Sequence, residues 1–369
     1  MTDRLIYSLI AISGALLFIP FLGSVHLFDW DEINFAESAR EMILTGDYFR
    51  ARINYEPFWE KPPLFFWLQV VSMKIFGINE FAARFPNALT GIASLLIIYL
   101  VGKNFWEKKY ALLWVIAYAG SILPHFYFKT GIIDPLFNLF IFSAICCLYS
   151  AFEPKDNKKQ LLYLFYAGIL CGLAILTKGP VALLISGLTG LIFLFFNKLF
   201  NLKHVLRLGL FVVFTLLVAG VWFGIETIKN GTWFLQTFIE YNIRLFRTED
   251  SGHGQPIYYH PVVLLIGCFP ASIFALSSLN RIRNFESKPE SFSLWMQILF
   301  WLVLVIFSIS KTKIVHYSSL CYFPLTFLAV FSIYRWEKQQ KNIPGFILTL
   351  LIIIGIIIAA IASAVPVVV

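Results

Sequence analysis

Long apolar runs separated by polar breaks dominate the chain. Runs of roughly 17–25 residues, enough to cross a hydrocarbon core of about 30 Å, lie near 5–24, 81–102, 110–128, 131–152, 161–177, 180–196, 207–228, 258–280, 292–310, 314–333 and 344–365. The pattern predicts an all-α polytopic membrane protein with about eleven transmembrane helices. Two breaks are long, 25–80 and 229–257; the others are short turns. The whole of 1–369 reads as one transmembrane domain, with no soluble domain after the last run. The first run lacks a small-residue cleavage site and reads as a retained signal anchor.

Inside the break at 25–80 the apolar period shortens. Ile33, Ala36, Ala39, Ile43 and Leu44 recur at near-helical spacing, with Glu37, Arg40 and Glu41 on the other side. This predicts an amphipathic helix on the membrane surface, ended by Gly46-Asp47. Pro62-Pro63 then forces extended or turn geometry and fixes where Glu60 and Lys61 point. A second amphipathic segment, Leu64 to Phe76, is too aromatic for a solvated loop.

Composition agrees: 59% of residues are apolar and 14% charged, against roughly 45–50% and 25% in soluble chains. The five cysteines all fall in apolar runs and read as small packing residues. The net charge of +8 is spread over short loops rather than gathered on one face, which excludes a nucleic-acid partner. Five short loops are basic: Lys103/Lys108/Lys109, Lys155/Lys158/Lys159, Lys198/Lys203/Arg207, Arg281/Arg283/Lys288 and Arg335/Lys338/Lys341. The positive-inside rule puts them and the N-terminus in the cytoplasm, and both long loops on the opposite, periplasmic face of a bacterial inner membrane.

Candidate chemistry gathers on that face. Asp31 and Glu32 stand just past the first membrane exit. An acid there is either an N-cap or a general base. Asp134 opens the fourth run, and its short side chain cannot snorkel, so pairing with a cation or orienting a backbone group fits it better. Lys178, in Thr177-Lys178-Gly179-Pro180, is explained as well by snorkelling as by function. Glu37 and Arg40 suit a simple pair along one helix. Lys61, Arg84, Lys178, Arg244, Arg247 and Lys313 are candidates to hold a phosphate and stabilise it as it leaves. Glu60 and His253 could share a divalent metal ion. Together these suggest a lipid-linked phosphate substrate. No P-loop or dinucleotide motif is present, which disfavours a soluble nucleotide-sugar donor.

Asp31-Glu32, Phe35-Ala36-Glu37, Arg40-Glu41-Met42, Gly46-Asp47, Glu60-Lys61-Pro62-Pro63 and Phe81-Ala82-Ala83-Arg84 resemble the GT-C glycosyltransferases of the aminoarabinose (lipid A) transferase and protein O-mannosyltransferase-like superfamily. Weaker similarity runs through Asp134-Pro135, Lys178-Gly179-Pro180, His253 with Gln255-Pro256, and Ser310 to Tyr317. The resemblance implies sugar transfer from a polyprenyl-phosphate donor to a glycolipid, glycan or protein acceptor. It implies Asp31 at the catalytic centre, with Glu32 beside it, and Glu60 and Lys61 near a metal and the lipid phosphate. Arg84, Lys178 and Lys313 would surround the donor cavity, Asp134 would organise it, and His253 would join the metal. Asn34 stands where the aminoarabinose enzymes typically carry Arg, and Lys313-Ile314-Val315 replaces a Lys-Leu-Pro turn. Both leave sugar and acceptor open. The competing class is a transporter of lipid-linked sugars, which needs charges near the bilayer midplane. Here the charges cluster at one face, which favours an enzyme.

Overall fold

In a computed structural model, residues 2–28, 30–153, 156–248, 254–279 and 287–368 are described. The helices among them are α1 (Asp3–Phe18), α2 (Asp31–Thr45), α3 (Leu64–Phe76), α4 (Glu80–Phe105), α5 (Lys108–Ala119), α6 (Ile122–Tyr127), α7 (Asp134–Phe152) and α8 (Asn157–Thr177). They continue with α9 (Val181–Phe196), α10 (Leu202–Asn230), α11 (Trp233–Arg247), α12 (Tyr259–Gly267), α13 (Ala271–Ala275), α14 (Lys288–Ile309), α15 (Tyr322–Lys338) and α16 (Gly345–Val368). A 3₁₀ segment, Val315–Cys321, leads into α15. The one sheet among the described residues is a hairpin pairing Arg52–Ile53 with Glu56–Pro57.

The all-α membrane architecture holds, but not every predicted run is one unbroken long helix. Seven described segments are long and apolar enough to cross a membrane: α4, α7, α8, α10, α14, the 3₁₀ segment with α15, and α16. The other four predicted runs fold as shorter pieces. Helices α1 and α9 have 16 residues each, about 24 Å at 1.5 Å per residue against about 30 Å of hydrocarbon. The run at 110–128 breaks at Gly120-Ser121 into α5 and α6, where the Ser121 hydroxyl caps back onto Ala117 O. The run at 258–280 breaks before Pro270, which has no N–H to continue a helix, into α12 and α13.

Helix α7 is the centre of the bundle; almost every residue along it is buried. Helices α8 and α10 approach closely because Gly168 and Gly172 carry no side chain. A Cβ on Gly168 would sit 2.3 Å from Phe214 Cβ, and one on Gly172 2.6 Å from Val218 Cβ. Small residues at a membrane helix contact let backbones meet. Helix α16 is the opposite case, with only 6% of its apolar window buried, so lipid must cover it.

Described residues of the basic loops pair at one end. Asp3 pairs with Lys103 and Lys108 at 3.2 and 2.6 Å, Glu337 with Lys109, and Glu153 with Lys288. The two long loops meet at the other end. Arg50 bonds Asn230 and lies 3.6 Å from Glu226, and the Trp222 indole donates to Phe49 O. Helices α2 and α3 pack on each other through Phe35, Ala39, Met42, Phe65 and Phe66. The buried face of α2 is thus Phe35 and Met42 rather than Ile33 and Leu44, which stay exposed.

The glycine contact decides the sign of two otherwise similar substitutions. Gly→Ala in an unobstructed helix gains about 0.5–1 kcal/mol, so Gly209→Ala, with nothing within 4 Å of its Cβ position, is expected to leave detergent thermal stability equal or higher. Gly168→Ala is expected to lower it, because Phe214 on α10 cannot yield without moving backbone.

Candidate active site

A cavity of about 900 Å³ opens at the end of the bundle carrying the long loops. Its polar wall includes Asp31, Lys61, Asp134, Lys178, Tyr241 and His316; its apolar wall comes from α9, α11 and α14. Asp31 and Asp134 reach it from the first turns of α2 and α7. Their exposure differs: the Asp31 side chain is 32% exposed and that of Asp134 only 4%. A substrate can therefore touch Asp31, whereas Asp134 belongs to the floor.

Asp134 is bound from one side. Lys178 Nζ donates to Oδ1 at 2.5 Å, and the same ammonium lies 4.8 Å from the Tyr317 ring centroid. The turn holding Lys178 needs glycine next, since Gly179 has φ +138° and precedes Pro180. The second oxygen, Oδ2, is buried without a hydrogen-bond partner among the described residues. His316 Nε2 lies 3.7 Å from it and 3.5 Å from Asp31 Oδ2.

Lys61 forms the other cationic point. Its ammonium donates to Tyr241 OH at 2.9 Å and stands 3.9 Å from Glu60 Oε2. Burial pushes the Lys61 ammonium below its ordinary 10.5; the Glu60 charge opposes this, Lys178 adds to it, and Asp31 and Asp134 oppose it. Burial, then the neighbouring Glu60 charge, pushes the Tyr241 phenol upward, so it remains a neutral donor and acceptor.

Glu32 and Arg84 do not line the cavity. They form a two-pronged ion pair with both contacts at 2.8 Å, each side chain 1% exposed. Arg84 also donates to Leu22 O, Val25 O and His26 O, and Glu32 accepts from Phe28 N and Gly131 N. All of the guanidinium's nitrogens are engaged, so Arg84 has no donor left for a phosphate, and Glu32 is no free base. Both are corrected from site residues to a strut that holds the chain's exit from α1 against α4. Lys313 is also turned inward, donating to Ser310 O at 2.7 Å outside the cavity lining. Arg247 lines the cavity; Arg244 on the same helix stacks over Tyr241 at 5.4 Å. Among the described residues no three His, Cys, Asp or Glu side chains converge as metal ligands. Of the two expected metal residues, Glu60 faces Lys61, and His253 lies outside the described residues. His316 and Tyr241 are central here although the sequence reading does not rank them as site residues; no spacing in the chain ties 316 to 31 and 134.

Residues 60–223 match the family model for dolichyl-phosphate-mannose-protein mannosyltransferase. An undecaprenyl phosphate-α-4-amino-4-deoxy-L-arabinose arabinosyl transferase from Shewanella sediminis is 26% identical over 333 residues, covering 89% of this chain and 60% of that protein. The crystal structure of ArnT from Cupriavidus metallidurans bound to undecaprenyl phosphate superposes with a TM-score of 0.80 at 23% identity, over 92% of this chain and 62% of that one. The chain shares the fold of that ArnT structure. The Archaeoglobus fulgidus oligosaccharyltransferase has a more distant form of the fold, with a TM-score of 0.59 at 13% identity over 96% of this chain and 54% of that one. The chain spans about three-fifths of the length of the Shewanella and Cupriavidus proteins.

This role of Arg84 is testable. Removing one partner of a buried ion pair costs about 3–5 kcal/mol. Arg84→Met is therefore expected to lower thermal stability in detergent strongly. A folded variant of unchanged stability that had lost only phosphate affinity would return Arg84 to the site.

Proposed function

We propose that this chain is a glycosyltransferase of a bacterial inner membrane. It moves a sugar from a polyprenyl-phosphate donor, with an undecaprenyl-phosphate aminoarabinose as the first candidate, to an acceptor hydroxyl on the periplasmic face. One observation carries the reading: a reachable carboxylate, Asp31, shares a cavity with two half-buried ammonium groups, Lys61 and Lys178, and with a long apolar wall. The described basic-loop residues that pair at the opposite end support a cytoplasmic N-terminus and an outward cavity.

In this reading the prenyl chain lies along α9, α11 and α14, and the phosphate meets Lys61 and Arg247. Asp31 takes the acceptor's proton as its oxygen attacks the anomeric carbon. The bond from that carbon to the phosphate oxygen breaks, and polyprenyl phosphate leaves with the bonding pair, held by the cations. A single displacement of this kind inverts the anomeric centre. Lys178 is committed to Asp134, so its role is to hold the floor and add positive potential rather than to bind phosphate alone. A lipid A-like glycolipid is the first acceptor to test, before glycans and proteins. A metal held by Glu60 and His253 remains part of the proposal, and chelation of the purified protein tests it separately.

The test is transfer of radiolabelled sugar from undecaprenyl phosphate-linked aminoarabinose, then from other polyprenyl-phosphate sugars, in proteoliposomes supplied with envelope lipids and proteins. Asp31→Asn is expected to slow transfer about 10²–10⁴-fold while leaving binding of undecaprenyl phosphate unchanged. Equal rates would remove Asp31 as the base, and no transfer from any donor by folded wild type would sink the reading.

A second expectation comes from Lys61. Because its ammonium titrates below the ordinary 10.5, its charge is lost at a lower pH than that of a free lysine. Affinity for undecaprenyl phosphate should therefore fall on the alkaline side before 10.5 is reached. Lys61→Arg keeps its charge, so its binding curve should stay flat over that range. An identical alkaline fall in the variant would show that Lys61 is not the titrating group.

A further inference from the structure

The proposed transfer leaves a proton on Asp31, and the carboxylate must lose it before the next turnover. Behind Asp31 stands His316, whose Nε2 is 3.5 Å from Asp31 Oδ2 and 3.7 Å from Asp134 Oδ2. The imidazole is largely buried, with a side chain 15% exposed. Asp134 Oδ2 is buried and lacks a hydrogen-bond partner among the described residues, while its twin oxygen is satisfied by Lys178. A buried carboxylate oxygen left without a donor is costly unless a donor appears at some stage.

We infer that His316 is a proton relay for Asp31: it accepts at Nε2 the proton that Asp31 takes from the acceptor, and Asp134 Oδ2 receives the resulting N–H. The inference rests on the transferase reading above. The steps balance. The acceptor O–H breaks as Asp31 gains the proton, the Asp31 O–H then breaks as the Nε2–H forms, and the imidazolium returns the proton to solvent after the product leaves. Asp134 thus meets a cation from each side, Lys178 permanently and His316 transiently. The distances are long for finished hydrogen bonds, as is common before a substrate closes the site.

The other charged groups around the ring set its balance. The charged groups that face the ring are Asp134 on α7, Asp31 on α2, Lys178 in the α8–α9 turn and Lys61 before α3. Lys313, on the same turn as His316, and His260 on α12 complete the surroundings. The two acids stand 3.5 and 3.7 Å from Nε2, so the ring is placed to pass a proton between them and the solvent.

The experiment measures multiple-turnover transfer from undecaprenyl phosphate-linked aminoarabinose against pH in proteoliposomes, for wild type, His316→Gln and His316→Asn. Undecaprenyl phosphate binding checks that each variant is folded. Wild type is expected to show an acid limb between about pH 5 and 8, where a histidine titrates. The variants should lose about 100-fold in rate and move that limb below the range, to where a carboxylate titrates alone. Imidazole should restore part of the rate to His316→Gly. Unchanged rate and profile in a folded variant would overturn the relay, as would a rate loss with the wild-type limb intact. If neither substitution folds, a wild-type profile lacking that limb overturns it. An inactive wild type would fail the transferase reading itself, and an active wild type with indifferent variants would fail the relay only.

Discussion

The geometry of the cavity depends on one buried ion pair. Glu32 and Arg84 lie fifty-two positions apart in the chain and meet in two parallel contacts without access to water. The pair alone would not repay the removal of two charges from solvent. It is sustained by the carbonyls of Leu22, Val25 and His26 and the amides of Phe28 and Gly131, which would otherwise be unsatisfied in the turn leaving α1. The consequence is that α2 begins at one defined place. Asp31, the neighbour of Glu32, is thereby pointed the other way, into the cavity.

Beyond that strut, the site works by unequal treatment of like groups. Asp31 and Asp134 are the same side chain at the same helical position, yet one is reachable and the other is floor. Lys61 and Lys178 are likewise both half-buried ammonium groups over tyrosine rings, but Lys178 is spent on a carboxylate while Lys61 hydrogen-bonds a neutral phenol. A ligand phosphate competes with a carboxylate at 2.5 Å for Lys178, but with a hydroxyl at 2.9 Å and a carboxylate only at 3.9 Å for Lys61. That asymmetry is why Lys61, rather than Lys178, is assigned the phosphate.

Much of this was legible in the chain. Apolar run length carries the all-α membrane class, and loop charge carries the sorting of ends, because both are one-dimensional properties. Asp31, Asp134 and Lys178 stand out in the chain by their places at or beside span ends, Lys61 and Arg247 by their places in the long loops, and all five line the cavity. What failed needed a partner to be known. Glu32 and Arg84 look like site charges until their mutual saturation is seen, and Lys313 looks like one until it turns to Ser310 O. His316 gains its interest only from two acids contributed by distant helices. Hydropathy does not register the interruptions at Ser121 and Pro270, so the runs there read as single helices.

Both acids of the cavity occupy helix starts, Asp31 on α2 and Asp134 on α7. Peptide dipoles leave partial positive charge at such ends, up to about half a unit for a full helix, and it decays within a turn. Two of these ends converge on one space. The backbone itself therefore contributes a field favouring negative charge there, before any lysine is counted. Part of the site's electrostatics is thus written in helix registry rather than in side chains. A change that frays the first turn of α2 would alter the potential at Asp31 without touching a single residue of the cavity wall.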